Sequence, residues 1–411
     1  MKFGLFYEMQ HPRPWTEERS EARALSNILD QIVAGDELGY HCAWLVEHHF
    51  LEEHSHLSAP ECVLAAAAAR TQRIRLGHGI VNMLPAVNHP ARVAERIATV
   101  DLISGGRVEF GTGESATRVE VDGFGVEPEE RHDMWLETVR ECARMMALTP
   151  YPGFEGEFFR MPCRNVVPKP LQRPHPPMWV ACTNRKTILM AAQLGLGALT
   201  FTIPDPKEAK ELVDEYYDIV RSSCRPIGQA INPNIAMVAS FMVHEDPEEA
   251  TRRGLEGYEA FNYGLFRYFV TGKHHPGRTD MWSEFQKMRG RRSFSTEEAR
   301  RGIGTAESVA AYYREYEEAG VDQIVLLAES GRTQPEHILE SMHEFAAGPL
   351  QEFEARDLER VRRKERTLTA PIRRTLERQR AEATPFDPNS VPPCKPYRRT
   401  KRTETDYQPA R

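Results

Sequence analysis

No Gly-x-Gly-x-x-Gly follows the first apolar run of this 411-residue chain, so the phosphate loop of a dinucleotide-binding open sheet is missing. Its seven cysteines, Cys42, Cys62, Cys142, Cys163, Cys182, Cys224 and Cys394, show no paired metal-ligand spacing. Each therefore reads as a small buried or surface thiol, neither a zinc ligand nor half of a disulfide. No apolar run approaches bilayer-spanning length, and Met1 to Tyr7 lack the basic, apolar and small-residue order of a secretion signal. A cytoplasmic protein is expected. The net charge of -7 gives no general attraction to nucleic acid or to an anionic membrane, and no basic stripe precedes the C-terminal tail, so neither partner is expected.

What is present is a pattern. Hydrophobic residues make up 40% of the chain and charged residues 27%, enough of each to bury a core and keep it in water. Eight short, mostly apolar runs alternate with amphipathic stretches: Phe3-Tyr7, Cys42-Val46, Ile74-Gly79, Val108-Gly111, Met178-Cys182, Ala198-Phe201, Ile235-Ser240 and Gln323-Leu327. Between them, Arg23-Leu38, Arg92-Ile103, Asp133-Ala147, Arg185-Leu194, Pro206-Arg221 and Pro335-Phe345 place apolar residues at helical spacing. Gly39 and Gly105-Gly106 mark helix ends, and Gly195 and Gly197 bracket the turn into the sixth strand. This alternation predicts an α/β protein with a (β/α)8 TIM barrel over residues 1–348. Two insertions interrupt it. Residues 151–177, after the fourth strand, read as a hairpin with arms at Phe158-Phe159 and Val166-Val167. Residues 270–304, after the seventh, read as a polar lid that orders on ligand binding. Residues 349–411 form an appended tail, helical and then proline-rich, with sixteen Lys or Arg against ten Asp or Glu.

Chemistry concentrates at the C-terminal strand ends, where a barrel carries its active site. Glu47-His48-His49-Phe50 follows the second strand, and His89 follows the third in Asn88-His89-Pro90. Histidines converging there suit proton transfer near neutral pH. A metal site built from His48, His49 and His89 with Glu47 or Glu114 is the rival. Neighbouring side chains in a strand point apart, which weighs against His48 and His49 sharing one ion.

Met1-Lys2-Phe3-Gly4, Glu47-His48-His49-Phe50, His89-Pro90 and the run from Asp101-Leu102-Ile103-Ser104-Gly105-Gly106 to Thr112-Gly113 are similar, in order and spacing, to the bacterial-luciferase-like flavin monooxygenases. The resemblance resumes at Pro177 to Thr183, at Gly195-Leu196-Gly197, at Trp282-x-x-Phe285, at Gly304-Thr305 and through the eighth strand. It implies a two-component monooxygenase, in which a separate NAD(P)H-dependent reductase supplies reduced FMN. Dioxygen then gives a carbon-4a peroxide that hydroxylates an apolar organic substrate or inserts oxygen in Baeyer-Villiger fashion. A homodimer is implied as well. His48 matches the active-site histidine, with His49 and His89 as its neighbours and His49 in an orienting role. Thr112, Gly113, Glu114 and Glu120 fall near the flavin, and Thr183, Asn184 and Arg185 match the phosphate-binding turn, with Lys186 adding charge. Phe6, Trp44, Phe50, Trp282 and the lid residue Lys287 are candidate substrate-facing positions. Gly113-Glu114 stands where light-emitting members carry Cys-Arg, which points away from light emission. Two further readings stay open: a deazaflavin-dependent hydride-transfer enzyme, and a non-catalytic flavin-binding partner subunit. No resident metal is expected.

Overall fold

Short strands that are apolar on both faces need cover on both, and a ring of strands inside a ring of helices supplies it. The computed structural model describes residues 1–115, 117–201, 205–271, 273–289 and 291–394. Its elements begin with β1 (Lys2–Tyr7), α1 (Ser20–Leu38), β2 (Cys42–Leu45), α2 (Pro60–Arg70), β3 (Arg75–Asn82), α3 (Pro90–Ile103), β4 (Val108–Gly113), α4 (Arg118–Gly123) and α5 (Arg131–Ala147). They continue with β5 (Tyr151–Glu155), β6 (Arg160–Arg164), β7 (Met178–Cys182), α6 (Arg185–Leu194), β8 (Gly197–Thr200), α7 (Pro206–Ser222), β9 (Ile235–Ser240), β10 (Met242–Val243) and α8 (Pro247–Phe266). The last are α9 (Met281–Arg289), α10 (Glu297–Arg300), β11 (Ile303–Gly304), α11 (Ala306–Ala319), β12 (Gln323–Leu327), α12 (Pro335–Phe345) and α13 (Gln351–Glu382). Strands β1, β2, β3, β4, β7, β8, β9 and β12 form a closed barrel in that order, and all their pairings are parallel. This is the (β/α)8 barrel that the alternation predicts.

The barrel interior is filled by two tryptophans that meet edge to face, Trp44 of β2 and Trp179 of β7, with ring centroids 5.3 Å apart. Their registers explain the neighbouring glycines. Trp44 pairs with Gly77 and Trp179 with Gly197, and a Cβ at either glycine would lie 2.4 Å from the facing indole. Large and small residues thus alternate around the ring, as a packed barrel core requires. Gly39 ends α1 at φ 92, in the left-handed region, with its N–H on the Gly35 carbonyl. Near its C-terminal end β3 shifts register against β4 between His78 and Val81, a bulge on the rim that faces the candidate site.

The hairpin differs from expectation. Its strands are β5 and β6, paired from Tyr151 with Arg164 to Glu155 with Arg160, and not Phe158-Phe159 with Val166-Val167. The reason lies outside the hairpin: the Glu137 carboxylate on α5 accepts the N–H groups of Glu157, Phe158 and Phe159, which bends those residues into the turn. In the second insertion, α9 packs on α8 and is already folded. Buried Glu53 accepts the Met281 and Trp282 N–H groups at the start of α9, at 2.6 and 3.1 Å. Glu52 accepts the Gly277 N–H at 2.7 Å and pairs with Arg13.

Helix α13 crosses the N-terminal end of the barrel. Its Phe353 is fully buried edge-on to Phe3, and Lys364 pairs with Asp322 at the foot of β12. Gln379 donates to the Pro226 and Gly228 carbonyls. The basic end of the tail, 395–411, lies outside the described residues. Among the described residues no helix is long and apolar enough to cross a membrane.

Candidate active site

The C-terminal strand ends gather a set of acids and histidines. Beyond β2 the chain turns so that the His48 N–H bonds the Leu57 carbonyl, and this fixes both histidines on the mouth. Short helix α4, capped by Thr117, brings Glu120 beneath them. Glu120 is 1% exposed and accepts four donors: His48 Nδ1 at 3.0 Å, the His49 N–H at 3.0 Å, Ser115 Oγ at 2.8 Å and Thr117 Oγ1 at 2.7 Å. Burial alone would raise its pKa. The His48 charge and these hydrogen bonds outweigh burial and hold the carboxyl at about 2. Burial likewise disfavours a charged His48, but Glu120 and then Glu8 reverse the sign and carry it to about 9.

Opposite Glu120 stands a residue that the sequence reading did not single out. Glu8 follows β1 directly, is 2% exposed, and places Oε2 at 3.9 Å from His48 Nε2. Burial pushes its carboxyl up to about 7, with Glu329 and Glu120 adding to the rise and His48 opposing it. Glu329, after β12, accepts the N–H groups of Glu8, Met9 and Gln10 and so pins the exit of β1. His54 completes the group, its ring 6.3 Å from His48. Because Gln10 Oε1 accepts the Gly331 N–H, its amide nitrogen must donate to His54 Nδ1, 3.0 Å away. His54 is therefore neutral with its proton on Nε2, and burial lowers its pKa to about 3. A charged residue directly after an apolar barrel strand was the available signal for Glu8.

The remaining candidates are dispersed. His49 Nε2 turns away to Glu47, 3.0 Å off, a carboxylate also held by Asn88 and by the Asn82 N–H. His89 does not join His48 and His49. It is exposed, caps α3 by accepting the Ala91 N–H at 3.2 Å, and meets Phe159 edge-on. The histidines thus do not converge as a metal triad. Among the described residues one trio brings possible ligand atoms within 4.8 Å, His244, Glu340 and Glu344, and it includes none of them. Thr112 is fully buried, donating to the Trp179 carbonyl and accepting from the Trp135 indole, so its side chain serves the core. Gly113 packs under Ile80, and Glu114 faces His132 at 3.2 Å on the surface.

Thr183, Asn184 and Arg185 are exposed at the start of α6. Asn184 and Thr187 cap that helix reciprocally, and Arg185 pairs with Glu215 of α7. Of the five substrate-facing candidates, Phe6 packs against Phe201 and Trp44 against Trp179, both fully buried in the core. Trp282 lies 8% exposed in a separate apolar cluster with Tyr263 and Phe285, under the Arg332 guanidinium. Phe50, 51% exposed beside Phe124, and Lys287 on α9 reach the surface. A cavity of about 270 Å³ that the sequence reading did not anticipate lies at the ends of β8, β9 and β12 beneath α8. Phe201, Ser240, Phe261, Asn262 and Leu327 help to line it.

The acid-histidine cluster thus stands at the C-terminal strand ends, the face on which a closed parallel barrel carries its chemistry. Residues 1–323 match the luciferase-like monooxygenase family, and the chain belongs to it. It spans about half the length, 54%, of two uncharacterized Sinorhizobium fredii proteins, y4wF and y4vJ. They are 31% and 28% identical to it over 47% of this chain. The oxygenase component of the flavin-dependent trigonelline monooxygenase of Acinetobacter baylyi is 24% identical over 80% of this chain and 90% of its own. Among solved structures, monooxygenase RslO1 from Streptomyces bottropensis has a TM-score of 0.69 at 27% identity, covering 86% of this chain and all of its own. The FMN complex of the oxygenating constituent of 3,6-diketocamphane monooxygenase from Pseudomonas putida shares the fold at 18% identity. Its TM-score is 0.64, over 85% of this chain and 98% of its own. So does the coenzyme F420 dependent tetrahydromethanopterin reductase from Methanopyrus kandleri, at 19% identity and TM-score 0.59, over 84% and 97%.

Proposed function

We propose that this chain is the oxygenase of a two-component flavin monooxygenase. A separate NAD(P)H-dependent reductase delivers reduced FMN, and dioxygen and an apolar organic substrate meet it at the barrel mouth. The observation that carries the reading is the ion pair of His48 with Glu120, which sets an imidazole and its proton at the C-terminal rim. When bound, reduced FMN supplies the electrons for oxygen activation. The residues fit its phosphate: the exposed start of α6 offers backbone N–H groups beside Thr183, Arg185 and Lys186.

His48 carries its proton at neutral pH, so its first act is to donate a hydrogen bond or a proton to a reacting oxygen, and it serves as base only afterwards. Glu120 cannot take that proton, because its four donors favour the carboxylate. Glu53 and Glu52 hold the 273–289 segment over the loop after β2, which supports exclusion of water from the mouth. In this reading the barrel of residues 1–348 performs the chemistry as a homodimer, and the tail from 349 is an appendage.

Mixing the protein with reduced FMN under anaerobic conditions and then with oxygen in stopped flow tests the proposal. The expected result is a flavin absorbance intermediate that outlives that of free FMN, and oxidation indistinguishable from free FMN refutes it. A deazaflavin hydride-transfer enzyme is the second reading, favoured by the shared fold of the F420-dependent reductase. Equilibrium binding of both reduced cofactors separates the two, since tight deazaflavin binding without FMN binding selects the second.

A further inference from the structure

We infer that Glu8 is the proton partner of His48, a positioning residue that exchanges a proton with Nε2 while Glu120 holds Nδ1. Its use in catalysis rests on the monooxygenase reading; the proton sharing itself does not.

The argument begins with hydrogen-bond capacity. Glu120 accepts from four donors, which uses the lone pairs of both its oxygens and leaves it a pure acceptor. Of the two carboxyls within 4 Å of the ring, the one that can hold a proton for the imidazole is therefore Glu8. Glu8 Oε2 is buried and has no hydrogen-bond partner among the described residues. An unpartnered buried carboxylate oxygen costs free energy that protonation, or a donor brought nearer, would recover. His48 Nε2 stands 3.9 Å from this oxygen, one rotamer adjustment short of a hydrogen bond.

The surrounding groups favour a proton on Glu8. From the loop after β2 come His48 and Ser55, with His54 behind His48, from α4 comes Glu120, and from the loop after β12 comes Glu329. His54 is neutral, so His48 is the one cation acting on Glu8, against the Glu120 carboxylate and the Glu329 carboxyl, which burial itself raises to about 7. The Ser55 hydroxyl donates to the Glu8 carbonyl at 2.7 Å, and Glu329 holds three successive N–H groups from Glu8 onward. The backbone of Glu8 is therefore fixed while one of its side-chain oxygens remains free to bond.

The transfer balances without a redox partner. His48 Nε2 gives its proton to a reacting oxygen at the mouth, the Glu8 carboxyl breaks its O–H bond to restore the Nε2 proton, and Glu8 is left as a carboxylate. Solvent reprotonates the pair through His48, which is one-fifth exposed.

Glu8→Gln tests this by three readouts, two of which need no flavin. Nitrogen NMR of the histidine rings should show the His48 midpoint lowered by about one pH unit, the size expected when one neighbouring opposite charge is removed. Burial raises the Glu329 carboxyl to about 7 as well, so the band is read in Glu329→Gln: infrared spectra of that variant, like the wild type, should show a protonated carboxyl band that disappears through neutral pH, and the Glu8→Gln/Glu329→Gln double variant should lack it. The pH profile of the oxygen-dependent step should lose its ionisation near neutrality. An unchanged His48 titration in Glu8→Gln, or a Glu329→Gln variant without the infrared band, overturns the inference. If Glu8→Gln fails to fold, the wild-type and Glu329→Gln spectra decide alone. Failure of FMN chemistry with these two titrations intact refutes the proposed function and leaves the proton pair standing.

Discussion

An imidazole set between two carboxylates titrates as part of a group, and each member moves stability with pH in its own direction. The folded protein holds the Glu8 proton more tightly than the unfolded chain, at about 7 against 4.5, so this residue's contribution falls as pH rises between those values and is level above them. His48 is also raised, to about 9 against 6.5, and its contribution is complete below 6.5 and lost as pH rises through 9. Glu120 is lowered, and its contribution is present above 4.5 and lost as pH falls toward 2. Thermal unfolding midpoints measured from acid to neutral pH should show the wild type losing ground to Glu8→Gln, whereas parallel curves for the two proteins would contradict the raised Glu8. Glu120→Gln removes the stronger anion. The His48 midpoint should fall in that variant, and the oxygen-dependent step should slow by about 10²-fold, the usual weight of a positioned acid or base. Single-turnover rates beside an NMR titration check both. The sequence made His48 and Glu120 visible because their motifs carry a resemblance, yet Glu8 belongs to no motif and lies one residue past the strand read as Phe3-Tyr7. His89 misled in the other direction. A residue directly before the proline that opens a helix occupies the cap position, and capping is what its ring nitrogen does.

Segments between strands show why element type is more legible than element position. The hairpin after α5 was predicted as an insertion, but its register depends on Glu137, whose carboxylate gathers three N–H groups from 20 to 22 residues away. No local pattern encodes that contact. The 273–289 segment is similar: its polar sequence reads as a loop, and its order comes from two buried or half-buried acids on the loop after β2. Glu53→Gln should weaken the hold on the start of α9 by about 1–3 kcal/mol, the range for an unsatisfied buried bonding group. Limited proteolysis should then cut between α8 and α9 faster than in the wild type while the rest of the barrel resists. Equal cutting rates would mean that other contacts hold the segment.

Across the whole molecule, barrel closure was legible because periodicity of strand and helix repeats eight times, and an error at one strand end does not alter the count. Helix α13 was legible as a helix and not in its destination. Its charged surface hides the few apolar residues, Phe353 and Leu368 among them, that seat it across the barrel floor. Phe353→Ala should cost about 3–5 kcal/mol, as for other fully buried phenylalanines. A clear drop in the thermal midpoint measures it, and an unchanged midpoint would show that α13 contributes little to the barrel.

The barrel closes by pairing Lys2 with Gln323 and Phe6 with Leu327, so β1 waits for the synthesis of about 320 further residues to receive its second neighbour. At roughly 5–20 residues per second, a ribosome leaves that edge open for roughly a quarter of a minute to a minute. The nascent chain therefore carries an apolar strand with one open edge through most of its synthesis, and the yield of folded protein depends on how well that edge is kept from other strands until β12 emerges.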